Sequence, residues 1–137
     1  RPAGTAARGL VISGIAPGAD QSVHHVAYDS TRDILYAAVS DTGGNNWVAI
    51  IDGASMAQGT VTPRVLTGAA TGLWTGLSNR RLMGVRVDPE ANILFVGAVD
   101  VGLFAYTNAS TLSGDVAPAL GLPITAFSAM FVAPASG

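Results

Sequence analysis

The sequence lacks cysteine and lysine altogether, and Glu90 is its single glutamate. Without cysteine the chain can form neither disulfide bonds nor thiolate metal sites. Charged residues make up only 12% of the chain, and seven arginines against nine acids leave a net charge of −2. This balance gives no electrostatic reason to expect nucleic acid or an anionic membrane as a partner.

One long uncharged run extends from Val116 to Gly137, and its length approaches that of a membrane-spanning helix. Pro118, Pro123 and Pro134 lie within it, and each of them would interrupt a helix. We therefore expect buried strands in this run rather than a membrane helix. The first residue is an arginine and no signal-peptide pattern follows it, which is typical of a processed or excised piece.

Seventeen glycines and seven prolines separate short apolar runs, a composition that predicts many turns. Two of these segments recur along the chain. "DGASMAQGTVTP" (Asp52–Pro63) returns 55 residues later as "TNASTLSGDVAP", and "DSTRDILYAAV" from Asp29 returns 59 residues later as "DPEANILFVGAV". A longer loop at Thr42–Asn46 of the first copy explains the difference in offset. A period of 50 to 60 residues predicts propeller blades or another repeat array.

The chain thus divides into the tail of one repeat (residues 1–8), two full repeats (9–63 and 64–118) and the start of another (119–137). Each full repeat contains four short segments in which β-branched and aromatic residues are bounded by Gly, Pro, Asn or Asp. The predicted fold class is therefore all-β, with four-stranded antiparallel blades of propeller type and partial repeats at each end.

The turn between the first two strands of each repeat has a defined chemistry. Asp88 of "DPEAN" can accept bonds from backbone N–H groups, and Asn92 tolerates the left-handed conformation. Asp29 and Asp33 occupy the same places in "DSTRD". These turns are predicted to be scaffold.

The Ala-Ser motif is also predicted to turn the chain. Ser55 and Ser110 are predicted N-caps of a single helical turn, and Gly59 and Gly114 are predicted to be left-handed beyond its C-terminal end. The valine and proline that follow each glycine are predicted to begin the outer strand of the blade.

Together, "DPEANILFVGAV", the hairpin that follows it and the Ala-Ser motif resemble the NHL-type β-propeller repeats of bacterial secreted and surface proteins. The resemblance covers nearly the whole chain. It implies a radial array of four-stranded blades, a role in binding or display, and an extracellular, periplasmic or cell-surface location. Propellers have about four to eight blades, so two full repeats imply that further copies of the chain, or missing blades of the same protein, complete the array.

Loops between the second and third strands, and between repeats, are predicted to lie together at one end of the blades. Polar and aromatic residues that differ between the copies lie in these loops. We take them as candidate ligand-binding residues: Asp41, Asn45, Asn46, Trp47, Trp74, Arg80 and Arg81. Tryptophan can stack on a ligand ring or pack between blades, and arginine can bind an anion or a partner, or remain solvated.

Two motifs are candidate metal sites. "SDTGGNNW" from Ser40 is similar to the Asp-box turn of other propellers, but Asp41 follows Ser40 directly, and a Gly-Gly-Asn-Asn hairpin loop is the preferred interpretation. Calcium coordination by Asp41 and the asparagine carbonyls stays open as an alternative. His24 and His25 are adjacent in a predicted strand and point to opposite faces, so we predict no metal site there.

The sequence contains no GxSxG motif and no phosphate-binding glycine loop, and it suggests no Ser-His-Asp order, so we predict no catalytic residue. Gluconolactonase- and paraoxonase-like propellers share the architecture and hold a cation with side chains from several blades, whereas Glu90 lies in a scaffold turn. We expect a non-enzymatic structural or binding segment without a cofactor. Two alternatives stay open: a self-assembling subunit that forms rings or fibres, and a fragment of a metal-dependent propeller hydrolase.

Overall fold

The computed structural model describes residues 10–12, 21–73, 82–99 and 101–123. Within these ranges the chain is all-β, as the sequence predicts. The strands are β1 (Leu10–Ile12), β2 (Gln21–Asp29), β3 (Ile34–Asp41), β4 (Asn46–Asp52), β5 (Gly59–Val61), β6 (Arg64–Leu66), β7 (Leu82–Asp88), β8 (Ile93–Ala98), β9 (Gly102–Thr107) and β10 (Leu120–Leu122). Single 3₁₀ turns span Ala54–Met56, Ala69–Thr71 and Ala109–Thr111. No helix in this described part has the length and apolar character needed to cross a bilayer.

Eight strands form two four-stranded antiparallel sheets. The first sheet has the order β2-β3-β4-β6, and the second has the order β7-β8-β9-β10. The segments that align in sequence occupy corresponding positions in the two sheets. Ile34 and Ile93 each begin the second strand, and they pair with Asp52 and Thr107 at the end of the third.

The fourth strand of each sheet lies further along the chain than the sequence predicts. The segment after Gly59 forms β5, which pairs in parallel with β1 (Leu10 opposite Gly59), and β6 completes the first sheet instead. In the second sheet β10, beyond Pro118, takes this place. The prediction of the outer strand was wrong because β5 finds its partner far away in the chain. Gly59 and Gly114 are left-handed, with φ of 69° and 77°, as predicted.

The uncharged run from Val116 is described only as far as Pro123. There β10 is an edge strand, and its side chains are exposed, with Leu120 at 52% and Leu122 at 45%. The prediction of a buried strand is therefore wrong for this part of the run. An edge strand buries a side chain only where another layer covers it. Residues 124–137 lie outside the described residues.

One apolar core joins the two sheets. It contains fully buried side chains from both: Tyr36, Val48, Ile50, Leu66, Val85, Leu94, Val96 and Tyr106. β2 and β7 lie next to each other across this interface. Burying one such side chain contributes about 1.5–3 kcal/mol, so the face-to-face packing of the sheets supplies a large share of the stability of the fold.

The turns after β2 and β7 have the predicted chemistry. One carboxylate oxygen of Asp29, and one of Asp88, accepts hydrogen bonds from the backbone N–H groups two and three residues later, at 2.9–3.0 Å. Asp33 and Asn92 are left-handed, with φ of 57° and 56°. Both parts of the prediction are confirmed, because these side chains act on their own turn and need no distant partner.

A hydrogen-bonded link ties each of these turns to the following Ala-Ser motif. The two carboxylate oxygens of Asp33 accept bonds from the backbone N–H and the hydroxyl of Ser55, both at 2.8 Å. In the second sheet Asn92 Oδ1 accepts from the backbone N–H of Ser110, and Asn92 Nδ2 donates to the serine hydroxyl, both at 3.0 Å. The serine recurs because it completes this link in both sheets.

Ser55 and Ser110 are therefore not N-caps, and that prediction was wrong. The N-cap residues are Gly53 and Asn108, which are left-handed with φ of 63° and 55° and make no side-chain cap bond. The serines lie inside the 3₁₀ turns. Their partners are 22 and 18 residues earlier in the chain, a distance at which local capping rules give no information.

Replacing Asp33 by asparagine is expected to leave stability at pH 7 close to that of the wild type, because the amide can repeat the bonds that Asn92 makes. The same change should reduce sensitivity to acid. Hydrogen bonds from Tyr28 and Ser55 hold the pKa of Asp33 below its ordinary value. Stability from this carboxylate is thus full above the unfolded-state pKa of about 3.9 and is lost as the pH falls through the lower folded-state pKa.

Urea unfolding at pH 7 and at pH 3 measures both effects, with Asp33→Ala as the control that breaks the link. The alanine variant should be the less stable of the two at pH 7. An asparagine variant that is as unstable as the alanine variant at pH 7, or as acid-sensitive as the wild type, would contradict the assigned role of Asp33.

Candidate functional site

The loop between β3 and β4 carries four of the candidate ligand-binding residues. β3 ends at Asp41 and β4 begins at Asn46, so the connection is a short hairpin loop, as the sequence predicts. Gly44 has a φ of 84°, a conformation that favours glycine and lets the chain reverse. The loop lies at the opposite end of the first sheet from the Asp33–Ser55 link.

The Asp41 carboxylate organises this loop. Its Oδ1 accepts hydrogen bonds from the backbone N–H groups of Gly43 and Asn45 at 2.9 Å, and its Oδ2 accepts from Asn45 Nδ2 at 2.6 Å. Burial acts to raise the pKa of Asp41, but the bonds from Asn45, Gly43 and Gly44 outweigh it and lower that pKa. The group therefore stays ionised at neutral pH, with both oxygens engaged within the loop.

Asn46 and Trp47 point into the protein. Asn46 is fully buried, and its Nδ2 donates to the carbonyl of Leu73 at 2.8 Å, which joins the loop to the connection between the sheets. This contact confirms that the two kinds of loop lie at the same end. Trp47 is only 7% exposed and packs with Val39 and Ile12 on the face of the first sheet that is turned away from the second. Its indole is thus used in packing.

Trp74, Arg80 and Arg81 lie outside the described residues. Their assignment as ligand-binding residues stays a prediction. Of the candidates that are described, Asp41 and Asn45 bond to each other, while Asn46 and Trp47 are buried in the sheet.

His25 joins the two sheets. Its Nδ1 lies 3.1 Å from the carbonyl oxygen and 3.3 Å from the amide nitrogen of Val85 on β7. The neighbouring His24 is exposed. Within the described ranges no three histidine, aspartate or glutamate side chains lie close enough together to hold a metal ion. A calcium ion at Asp41 would compete with the N–H groups that already point at the carboxylate.

Two arginines of the first sheet that are not among the candidate residues bond across to the second sheet. Arg32 Nη1 pairs with Asp29 at 3.0 Å and donates to the carbonyl of Pro89 at 2.7 Å. We call Arg32 and Arg64 the inter-sheet arginines. The aligned repeats show this difference, since Arg32 of the first repeat aligns with the uncharged Ala91 of the second.

Arg64 makes the more extensive of these contacts. Its Nε and Nη2 form a two-bond pair with the Asp52 carboxylate, both at 2.7 Å. The guanidinium also donates to the carbonyls of Ser110 and Leu112 in the second sheet's 3₁₀ turn and just after it. The bond from Arg64 lowers the pKa of Asp52, and the same pairing raises that of Arg64.

Tyr36 is buried between the sheets, at the ladder position that Phe95 occupies in the second sheet. No described group forms a hydrogen bond with its hydroxyl. Burial, with the nearby charge of Asp29, raises the pKa of Tyr36 to about 12. The phenol is therefore neutral at physiological pH, and its ring serves the core.

The described part of the chain is thus an all-β fold of two packed, four-stranded antiparallel sheets. Comparison of the chain with known protein families, with curated proteins and with solved structures finds no significant match. Its function must therefore be argued from its own geometry.

Proposed function

We propose that the chain is a non-enzymatic structural or binding segment of β-propeller type, from a secreted or surface protein. In this proposal the sheets are blades, the Asp33–Ser55 end is scaffold, and the loop end with Asp41 and Asn45 faces a ligand or partner. The observation that carries the proposal is that the described aspartate carboxylates already accept hydrogen bonds within the fold. Carboxylates are the groups that would serve a hydrolase as general acid, general base or metal ligand.

Six aspartates of the described part each accept hydrogen bonds from turn or arginine groups: Asp29, Asp33, Asp41, Asp52, Asp88 and Asp115. A catalytic carboxylate must exchange protons with a substrate or coordinate a metal. A carboxylate whose oxygens accept bonds that hold a turn together is less free to do either, because a substrate or metal competes with those bonds. This engagement supports a scaffold role for these residues.

The propeller interpretation has two supports. Each sheet is a meander whose strands correspond to those of the other sheet, and blades of a propeller are such repeated four-stranded sheets. In addition, Leu66 at the end of β6 forms a parallel bridge with Gly114 after the second Ala-Ser motif, in the way that β1 pairs with β5 after the first. The sequence resemblance to NHL-type repeats points to the same arrangement.

An assay of lactone and aryl-ester hydrolysis, with and without calcium, tests the non-enzymatic role. We expect no turnover above the rate of buffer in either condition. Asp41→Asn, which keeps the size of the side chain, is the matched variant. Turnover that EDTA abolishes and that Asp41→Asn removes would favour the alternative of a metal-dependent hydrolase fragment.

A further inference from the structure

Apolar side chains are exposed on the face of the first sheet that is turned away from the second. On β2, Val23, Val26 and Tyr28 are 51%, 49% and 47% exposed. Val23 and Val26 pair across the ladder with Val39 and Ala37 of the buried cluster on that face. The apolar surface is thus continuous, and its β2 side is uncovered. We call this surface the back face of the first sheet.

The second sheet has an uncovered apolar surface of its own. Phe95 and Leu103 are partly exposed there. Phe95 pairs with Ala105 on β9, and Leu103 pairs with Leu122 on β10. Leu120 and Leu122 are about half exposed. We call this surface, which is turned away from the first sheet, the front face of the second sheet.

The contact between the two sheets shows which kind of face meets which. The first sheet packs on the second with the ladder row of Tyr36 and Ile50. The corresponding row of the second sheet, Phe95 and Ala105, lies on its front face. The front face of the first sheet therefore packs on the back face of the second. Among the described residues, the β2 side of one back face and part of one front face are exposed.

We infer that a second copy of this chain places the β2 side of the back face of its first sheet on the front face of the second sheet. The inference rests on the proposed structural role and names its partner. Each of these faces carries an apolar patch and matches in kind a face that the chain already packs against, so a copy of the chain supplies the complementary surface. Such a contact is heterologous and continues into a closed ring or an open fibre. The exposed Arg86, which pairs with Phe95, also lies on the front face.

The contact between copies lacks the polar bonds of the internal one. At the front face of the second sheet, the ladder positions of His25, Arg64 and Asp52 are taken by Gly84, Leu120 and Thr107. Apolar packing must then supply most of the contact. We therefore expect an association that is weaker than the internal contact.

Two single variants, each blocking one face, test the inference by analytical ultracentrifugation. Val26→Asp places a charge on the back face and Leu122→Asp places one on the front face, and both side chains are half exposed in the chain itself. The wild type should associate with increasing concentration, and each variant alone should be monomeric. A mixture of the two should form a one-to-one dimer that grows no further, because each variant keeps the face that the other has lost.

Circular dichroism checks that the variants fold, and Val23→Asp and Leu120→Asp replace any variant that does not. A monomeric wild type, a single variant that still associates with itself, or a mixture that stays monomeric would overturn the inference. These outcomes concern only the mass of the particles that the chain forms in solution. The proposed absence of catalysis is decided separately by the turnover assay.

Discussion

Replacing Gly68 by alanine is expected to destabilise the fold by about 3 kcal/mol, because backbone strain and a steric clash add together. Gly68 has φ 127° and ψ 172°, a conformation that is essentially restricted to glycine. A Cβ atom there would lie 2.3 Å from Cγ of Asp115. The displaced carboxylate would lose its 2.8 Å bond to the backbone N–H of Ala70, which holds the 3₁₀ turn between the sheets.

Gly53 is the matched control for Gly68. It is also left-handed, with φ of 63°, but a Cβ atom at Gly53 would meet nothing within 4 Å. Gly53→Ala should therefore cost only about 1 kcal/mol, and Gly53→Asn less, since Asn108 occupies this position in the second sheet. Urea unfolding measures all three variants. Equal losses for Gly68→Ala and Gly53→Ala would contradict the clash with Asp115.

Replacing Arg64 by leucine is expected to cost about 2–3 kcal/mol, the second largest effect. The change removes the bonds to the carbonyls of Ser110 and Leu112, which are partly buried against the first sheet, and it leaves Asp52 without its cation. Leucine is the suitable replacement because Leu120 stands at the same ladder position in the second sheet. Thermal and urea unfolding report the loss.

Asp52→Ala separates the two parts of the Arg64 contact. The Asp52 side chain is 57% exposed, so solvent screens the ion pair and its loss should cost less than about 1 kcal/mol. The cost of Arg64→Leu beyond that value belongs to the carbonyl contacts between the sheets. If the two variants lost the same stability, the ion pair rather than the inter-sheet bonds would be the important part.

Features that depend on neighbouring residues could be predicted from the sequence. The Asp29 and Asp88 turns, and the left-handed Asp33 and Asn92, follow from side chains that bond to their own backbone. The strands and the hairpin loop after Asp41 follow from alternating apolar residues bounded by turn residues. In each case the physical cause lies within a few positions of the residue concerned.

Features that depend on distant contacts could not be predicted in the same way. Ser55 has the composition of an N-cap, but its partner Asp33 lies on another turn. The segment of β5 has the composition of an outer strand, but it pairs with β1. Both errors arise because local rules assign a polar group or a strand edge to the nearest partner, whereas the fold supplies a better one.

The structural placement of the candidate residues could be predicted only in part, for the same reason. The sequence placed Asp41, Asn45 and Asn46 in one loop, and the contact of Asn46 with Leu73 confirms which loops lie together. Nothing local indicates that Trp47 is buried against Ile12, since that requires β1 to cover the sheet. The inter-sheet arginines were missed because the alignment shows Arg32 without a charged counterpart but does not identify the carbonyl groups that the two arginines contact in the second sheet.

Native-state hydrogen exchange tests most directly the central claim that the two sheets form one cooperative scaffold. The slowest amides of β3 and β4 and those of β8 and β9 should exchange with the same free energy, equal to that of global unfolding, because both sheets share the core of Tyr36, Leu94 and Tyr106. Amides of one sheet that exchange at a free energy well below those of the other would show two independent units and would contradict the account.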